Sequence, residues 1–112
     1  METIIFKVKG SDPEPYKVTV TKDGNIVNAF CTCPAGRNGQ YCKHRFAIMA
    51  ANQDAVVSDN GDQVVEVNSW IPGSNIEAAL SEYAEAEHEK DKATKRLSLA
   101  KKNVAKAMRE KI

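Results

Sequence analysis

Scarce aromatics, an odd handful of cysteines and almost no net charge define this chain first by what they exclude. Aromatic residues make up 6% of its 112 positions. That is too few for a large core, so one small domain with an appended element is expected. No apolar run is long enough to cross a bilayer, so no membrane partner is expected. Met1-Glu2-Thr3-Ile4-Ile5-Phe6-Lys7-Val8 lacks a signal-peptide pattern and reads as a strand. The formal net charge is +1. Bulk electrostatics therefore do not hold the chain to nucleic acid, and any such binding has to come from a local patch. Three cysteines cannot all pair within one chain, and Cys31 and Cys33 stand too close for an ordinary disulfide framework. A redox pair would more often read C-x-x-C.

All three cysteines, with one of the two histidines, fall in the stretch from Cys31 to His44. Cys31 and Cys33 sit one residue apart, eight residues follow, and Cys42 and His44 again sit one residue apart. Zinc is held best by four such ligands in a tetrahedron. Two close pairs on a short loop meet at low loop-closure cost, and Pro34, Gly36, Asn38 and Gly39 let the chain between them turn back. Cys31, Cys33, Cys42 and His44 are thus expected to hold one structural Zn²⁺. A thin core suits a metal staple, whose binding is then part of the folding free energy. Thiolate ligands imply a reducing compartment, the cytoplasm or, in a eukaryote, the nucleus. A one-residue gap fits a strand end for the first pair, because alternate side chains share a face. The second pair fits the first turn of a helix.

This C-x-C…C-x-H arrangement resembles the SWIM zinc finger. The likeness runs from Cys31 to about Ala51 and includes Pro34, Gly36 and the apolar helix Phe46-Ala47-Ile48-Met49-Ala50. It implies zinc and an interaction role, with DNA or other proteins as the partners of such modules.

Upstream, Thr3–Lys9 alternates with Ile4, Phe6 and Val8 on one face, and Tyr16–Thr21 with Tyr16, Val18 and Val20 on one face. Asp23-Gly24 is a hairpin signal, and Ile26–Phe30 is the return strand that delivers the first ligand pair. Downstream of a helix from about Cys42 to Asn52, 54–62 reads as loop and 63–67 as a short edge strand. Trp70 either anchors this region to the core or faces a partner, and Tyr41 either shelters the metal or faces a partner. The expected class is α+β: a small antiparallel meander and a short helix around one zinc, then a long C-terminal helix. The expected divisions are a zinc-binding domain at 1–58, a linker at 59–73 and the long helix at 74–112.

Ser74-Asn75-Ile76-Glu77 reads as a capping box, and no glycine or proline follows it. Ala79, Ala86, Ala93, Ala100 and Ala107 recur every seven residues, with Ile76, Tyr83, Lys90, Leu97, Val104 and Lys111 as the companion heptad position. Leu80 and Met108 widen this seam. Such spacing predicts a coiled coil, and alanine lets two helices approach closely. Glu77, Glu82, Glu85, Glu87, Glu89 and Asp91 crowd the first half, against Lys90 and Lys92. Lys95, Arg96, Lys101, Lys102, Lys106, Arg109 and Lys111 fill the second, against Glu110. This order suits the helix macrodipole. It also makes two antiparallel copies complementary, so an antiparallel homodimer through 74–112 is expected. His88, in the acidic half, reads as an exposed polar residue.

These features predict a non-catalytic, dimeric adaptor or regulator binding a protein partner. The alternative is nucleic-acid binding through Arg37, Lys43 and Arg45 around the zinc loop and through the basic end of the helix. The same three cations also suit the net negative charge of three thiolates on zinc. No enzyme and no small-molecule substrate are expected. A catalytic zinc needs an open position, and no nucleophile–base pair or phosphate-cradling loop is legible.

Overall fold

The structure, a computed structural model, describes residues 1–109. The chain divides into two units, 1–77 and 78–112. The first is built on strands β1 (Glu2–Val8), β2 (Tyr16–Asp23) and β3 (Ile26–Cys31), an antiparallel meander in the order β1-β2-β3. Alternation sets its faces. Ile4, Phe6, Val8, Val18, Val20 and Val27 are buried on one side, while Ile5, Lys7, Lys17 and Phe30 are exposed on the other. The β2–β3 turn places Gly24 at φ +62, a left-handed conformation that glycine adopts freely.

Helices α1 (Pro34–Arg37), α2 (Lys43–Met49) and α3 (Val64–Ser69) complete the unit. Ile48 and Met49 of α2 and Val64 and Val67 of α3 close the core, together with Trp70. Fully buried Phe6 lies at its centre, and a Phe→Ala change at such a site costs about 3–5 kcal/mol. Helix α2 ends in a Schellman motif. Asn52 N–H donates to Ala47 O at 2.9 Å, and Ala51 N–H donates to Ile48 O at 3.1 Å. The residue held left-handed is Ala51, at φ 59, where glycine is the usual choice.

The region expected as a linker with an edge strand is folded differently. Residues 63–67 are not a strand: a 3₁₀ turn at Gly61–Gln63 leads into α3. Val64, Val67 and Trp70 recur every three residues and are all buried, whereas Val65 is 67% exposed. A strand would have put Val65 and Val67 on the same face. The edge of β1 is, moreover, already taken. Lys9 N–H donates to Ala55 O, Val57 N–H to Lys7 O and Lys7 N–H to Ser58 Oγ, and Asn60 Nδ2 reaches Ile5 O. At the other edge, Val27 N–H donates to Asn75 Oδ1 at 2.7 Å and Arg45 donates to Ala29 O. Covered edges resist strand-to-strand aggregation. Trp70 is an anchor, at 7% exposure.

Ser74 and Glu77 cap, one residue out of the expected register. Ser74 Oγ accepts from Ile76 N–H, and Glu77 carboxylate accepts from Gly73 N–H rather than from Ser74. The long helix α4 runs Glu77–Ala107, about 46 Å at about 1.5 Å per residue. None of its residues is buried. Tyr83 Oη donates to Glu87 across one turn at 2.7 Å. Lys111 and the rest of 110–112, included in the expected seam, lie outside the described residues.

Candidate metal centre

Each ligand comes from a different local device. Cys31 ends β3, and Cys33 is the N-cap of α1, where its Sγ accepts from Gly36 N–H at 3.3 Å. Pro34 opens α1, where its missing N–H costs nothing. The expected loop between the ligand pairs is thus one turn of helix, ended by Asn38 and by Gly39 at φ +69. Cys42 is the N-cap of α2, and His44 lies in its first turn.

The four side chains are buried and converge. Their ligand atoms lie within 4.8 Å of one another. Cys33 Sγ and Cys42 Sγ are 3.4 Å apart, and His44 Nδ1 lies 3.6 Å from Cys42 Sγ and 3.8 Å from Cys31 Sγ. A tetrahedral zinc with Zn–S of about 2.3 Å and Zn–N of about 2.0–2.1 Å requires edges of about 3.8 Å between sulfurs and about 3.6 Å between sulfur and nitrogen. The cluster fits one structural zinc ion held by three thiolates and His44 Nδ1.

Metal on Nδ1 puts the ring proton on Nε2. That nitrogen is buried, with no hydrogen-bond partner among the described residues. The Tyr16 ring lies against the imidazole, with centroids 5.2 Å apart. A side chain on Gly10 would overlap Tyr16 and come within 3.2 Å of Nε2. Neither Tyr16 nor Gly10 is marked as part of the site by the sequence, and only a glycine two residues after β1 hints at a close approach. Gly36 is equally constrained: a Cβ there would sit 2.5 Å from Cys31 O.

The thiols are not equivalent. Burial pushes Cys31 up to about 12, with bonds to Cys33 and Cys42 adding to the rise. Burial also acts to raise Cys42, but the Arg45 backbone N–H and bonds from Cys33, His44 and Cys31 outweigh it and hold that thiol down at about 6.

The three cations expected around the loop part company. Arg45 is half-buried and its guanidinium is taken up by the carbonyls of Ala29 and Gln40. Arg45 ties α2 to β3 and to the loop before it. Arg37 and Lys43 are exposed. Tyr41 is 59% exposed, with its ring edge against Phe46 at 4.7 Å. The α4 residues Ala79, Tyr83, Ala86, Ala93, Leu97, Ala100, Val104 and Ala107 are exposed, as is His88.

A β-hairpin and a following helix joined by a buried Cys₃His cluster define a zinc-binding module. The SWIM zinc finger family model matches residues 16–53, the stretch that holds all four ligand residues. No curated protein and no solved structure matches the chain.

Proposed function

We propose that the chain is a non-catalytic recognition module, a zinc-stapled domain carried in pairs by antiparallel α4 helices. The observation that carries this reading is the closed, buried set of four ligands joining β3, α1 and α2. It leaves the metal no position for a substrate and gives it a structural task. Pairing is supported by the exposed heptad seam and by the reversal of charge along α4. Antiparallel copies set acidic halves against basic ones, and alanine in every second seam position permits close approach. Thiolate ligands suit a reducing compartment.

A protein or a nucleic acid can occupy such a module, and the distribution of charge favours nucleic acid. Residues 54–77 hold five acids and no base, whereas Lys7, Lys9, Lys17, Lys22, Arg37, Lys43 and Arg45 all precede them. Of these, Lys7, Lys9, Lys17, Arg37 and Lys43 are exposed, which offers phosphate contacts despite the small net charge. Pairing is tested by light scattering coupled to size exclusion. The wild-type chain should run at twice its 12.3 kDa mass, and Ala93→Glu, at the seam's centre, should halve it. Equal masses for both proteins would refute the paired helix. Partner class is tested by fluorescence anisotropy with labelled DNA and RNA, and absence of binding at low salt would return the module to a protein partner.

A further inference from the structure

We propose that the uncovered face of the β-sheet is a binding platform for single-stranded nucleic acid. The inference rests on the nucleic-acid reading above and specifies its surface. The sheet register brings Ile5, Thr19 and Phe30 into one row across the three strands, and Lys7 and Lys17 into the adjacent row. Val57, whose N–H donates to Lys7 O, extends that second row beyond β1. Phe30 is 62% exposed, Val57 54% and Ile5 45%. Every helix of the first unit that contributes to the core does so through the opposite face.

Two features of this face are costly for the free protein. Large apolar side chains are left in water, and Lys7 stands directly opposite Lys17, a like-charge pair that destabilises a sheet. Both costs turn into gains against one kind of ligand. An unpaired base presents a π-face that stacks on an exposed aromatic such as Phe30, and apolar neighbours extend the contact. Its phosphates fit two adjacent ammonium groups. Positions Thr3, Ile5, Lys7, Lys17, Thr19, Thr21, Asn28 and Phe30 carry no acid, and Asp23, the acid this face does hold, pairs with Ile26 at the hairpin end, two rows beyond Phe30. Strands about 4.8 Å apart make a face wide enough for two or three nucleotides, the number an open sheet with exposed aromatics stacks in RNA-binding modules. A duplex keeps its bases stacked on one another and cannot use Phe30 in this way.

The test uses the full zinc-loaded chain and fluorescein-labelled 12-nucleotide probes: oligo-dT, a mixed-sequence RNA and the matching DNA duplex. Anisotropy is read at several salt concentrations. The single strands should bind more tightly than the duplex. Phe30→Ala should weaken them by about 5- to 150-fold. Lys7→Glu/Lys17→Glu should weaken them too and flatten the salt dependence, by about 1.4 in slope for two lost phosphate contacts. Zinc content and Trp70 emission should be unchanged in all of these variants. Single-strand binding that survives both variants but is lost in Arg37→Glu/Lys43→Glu would overturn the platform and leave the nucleic-acid reading standing. No binding of any probe at low salt would overturn both. Binding only of a labelled Glu/Phe-rich peptide, lost in Lys7→Glu/Lys17→Glu, would assign the face to protein and overturn the proposal.

Discussion

Replacing Cys42 by alanine removes the ligand that joins the two halves of the centre. Its Sγ lies 3.4 Å from Cys33 Sγ and 3.6 Å from His44 Nδ1, so its loss leaves the remaining thiolates and the imidazole with an open metal. Structural zinc contributes about 10–16 kcal/mol of apparent binding free energy in small zinc-binding peptides at neutral pH. A whole domain is stable by only about 5–15 kcal/mol. Losing even half of the metal's contribution therefore removes most of the stability of residues 1–77. Trp70 is the single tryptophan, 7% exposed in this unit and absent from α4, so its fluorescence reports on the zinc domain alone. Cys42→Ala should bind no stoichiometric zinc and show red-shifted Trp70 emission at 25 °C, while α4 retains helical circular dichroism. A metal-free variant with native emission and an unchanged melting temperature would refute the claim that zinc holds the fold together.

Other consequences are smaller in scale. Because burial holds the Cys31 thiol protonated at neutral pH, zinc must displace at least that proton, and apparent zinc affinity should rise at least about tenfold per unit between pH 7 and 8. Below about pH 6 the Cys42 thiol is protonated as well, so competition titrations with a chromophoric chelator should show a steeper fall there; a flat profile would contradict the assigned ligands. Gly36→Ala forces α1 away from Cys31 O and should lower zinc affinity by about 10- to 100-fold, the scale for disturbed support of a metal ligand; wild-type affinity would show that α1 yields freely. Ala51→Gly relieves a left-handed alanine whose strain is about 1–2 kcal/mol, offset by glycine's about 0.5–1 kcal/mol of added chain entropy. A gain of up to about 1.5 kcal/mol in denaturant melts is expected, and a clear loss would contradict the Schellman geometry.

The metal centre was legible because its information is chemical and local: four ligand-type residues in two close pairs within fourteen positions. The meander was legible through alternation, since Ile4, Phe6, Val8, Val18, Val20 and Val27 each fall on the buried face. Residues 63–67 misled because two adjacent valines and a third at Val67 satisfy both periods until Trp70 is counted with them. The edge occupancy by 55–60 that excludes a strand there is a tertiary fact with no local signal. Arg45 shows the same limit. Its charge reads as a surface group, but its role comes from the carbonyls of Ala29 and Gln40, which only the fold brings near it. The Tyr16–His44 contact joins residues 28 positions apart through the β2–β3 turn and α1, and nothing near either residue announces it.

The most direct test of the central claim is X-ray absorption at the zinc edge on the purified chain. One zinc per chain with three sulfur neighbours at about 2.3 Å and one nitrogen at about 2.0–2.1 Å is the predicted result. A shell containing water oxygen, or fewer than three sulfurs, would contradict a closed structural site built from Cys31, Cys33, Cys42 and His44.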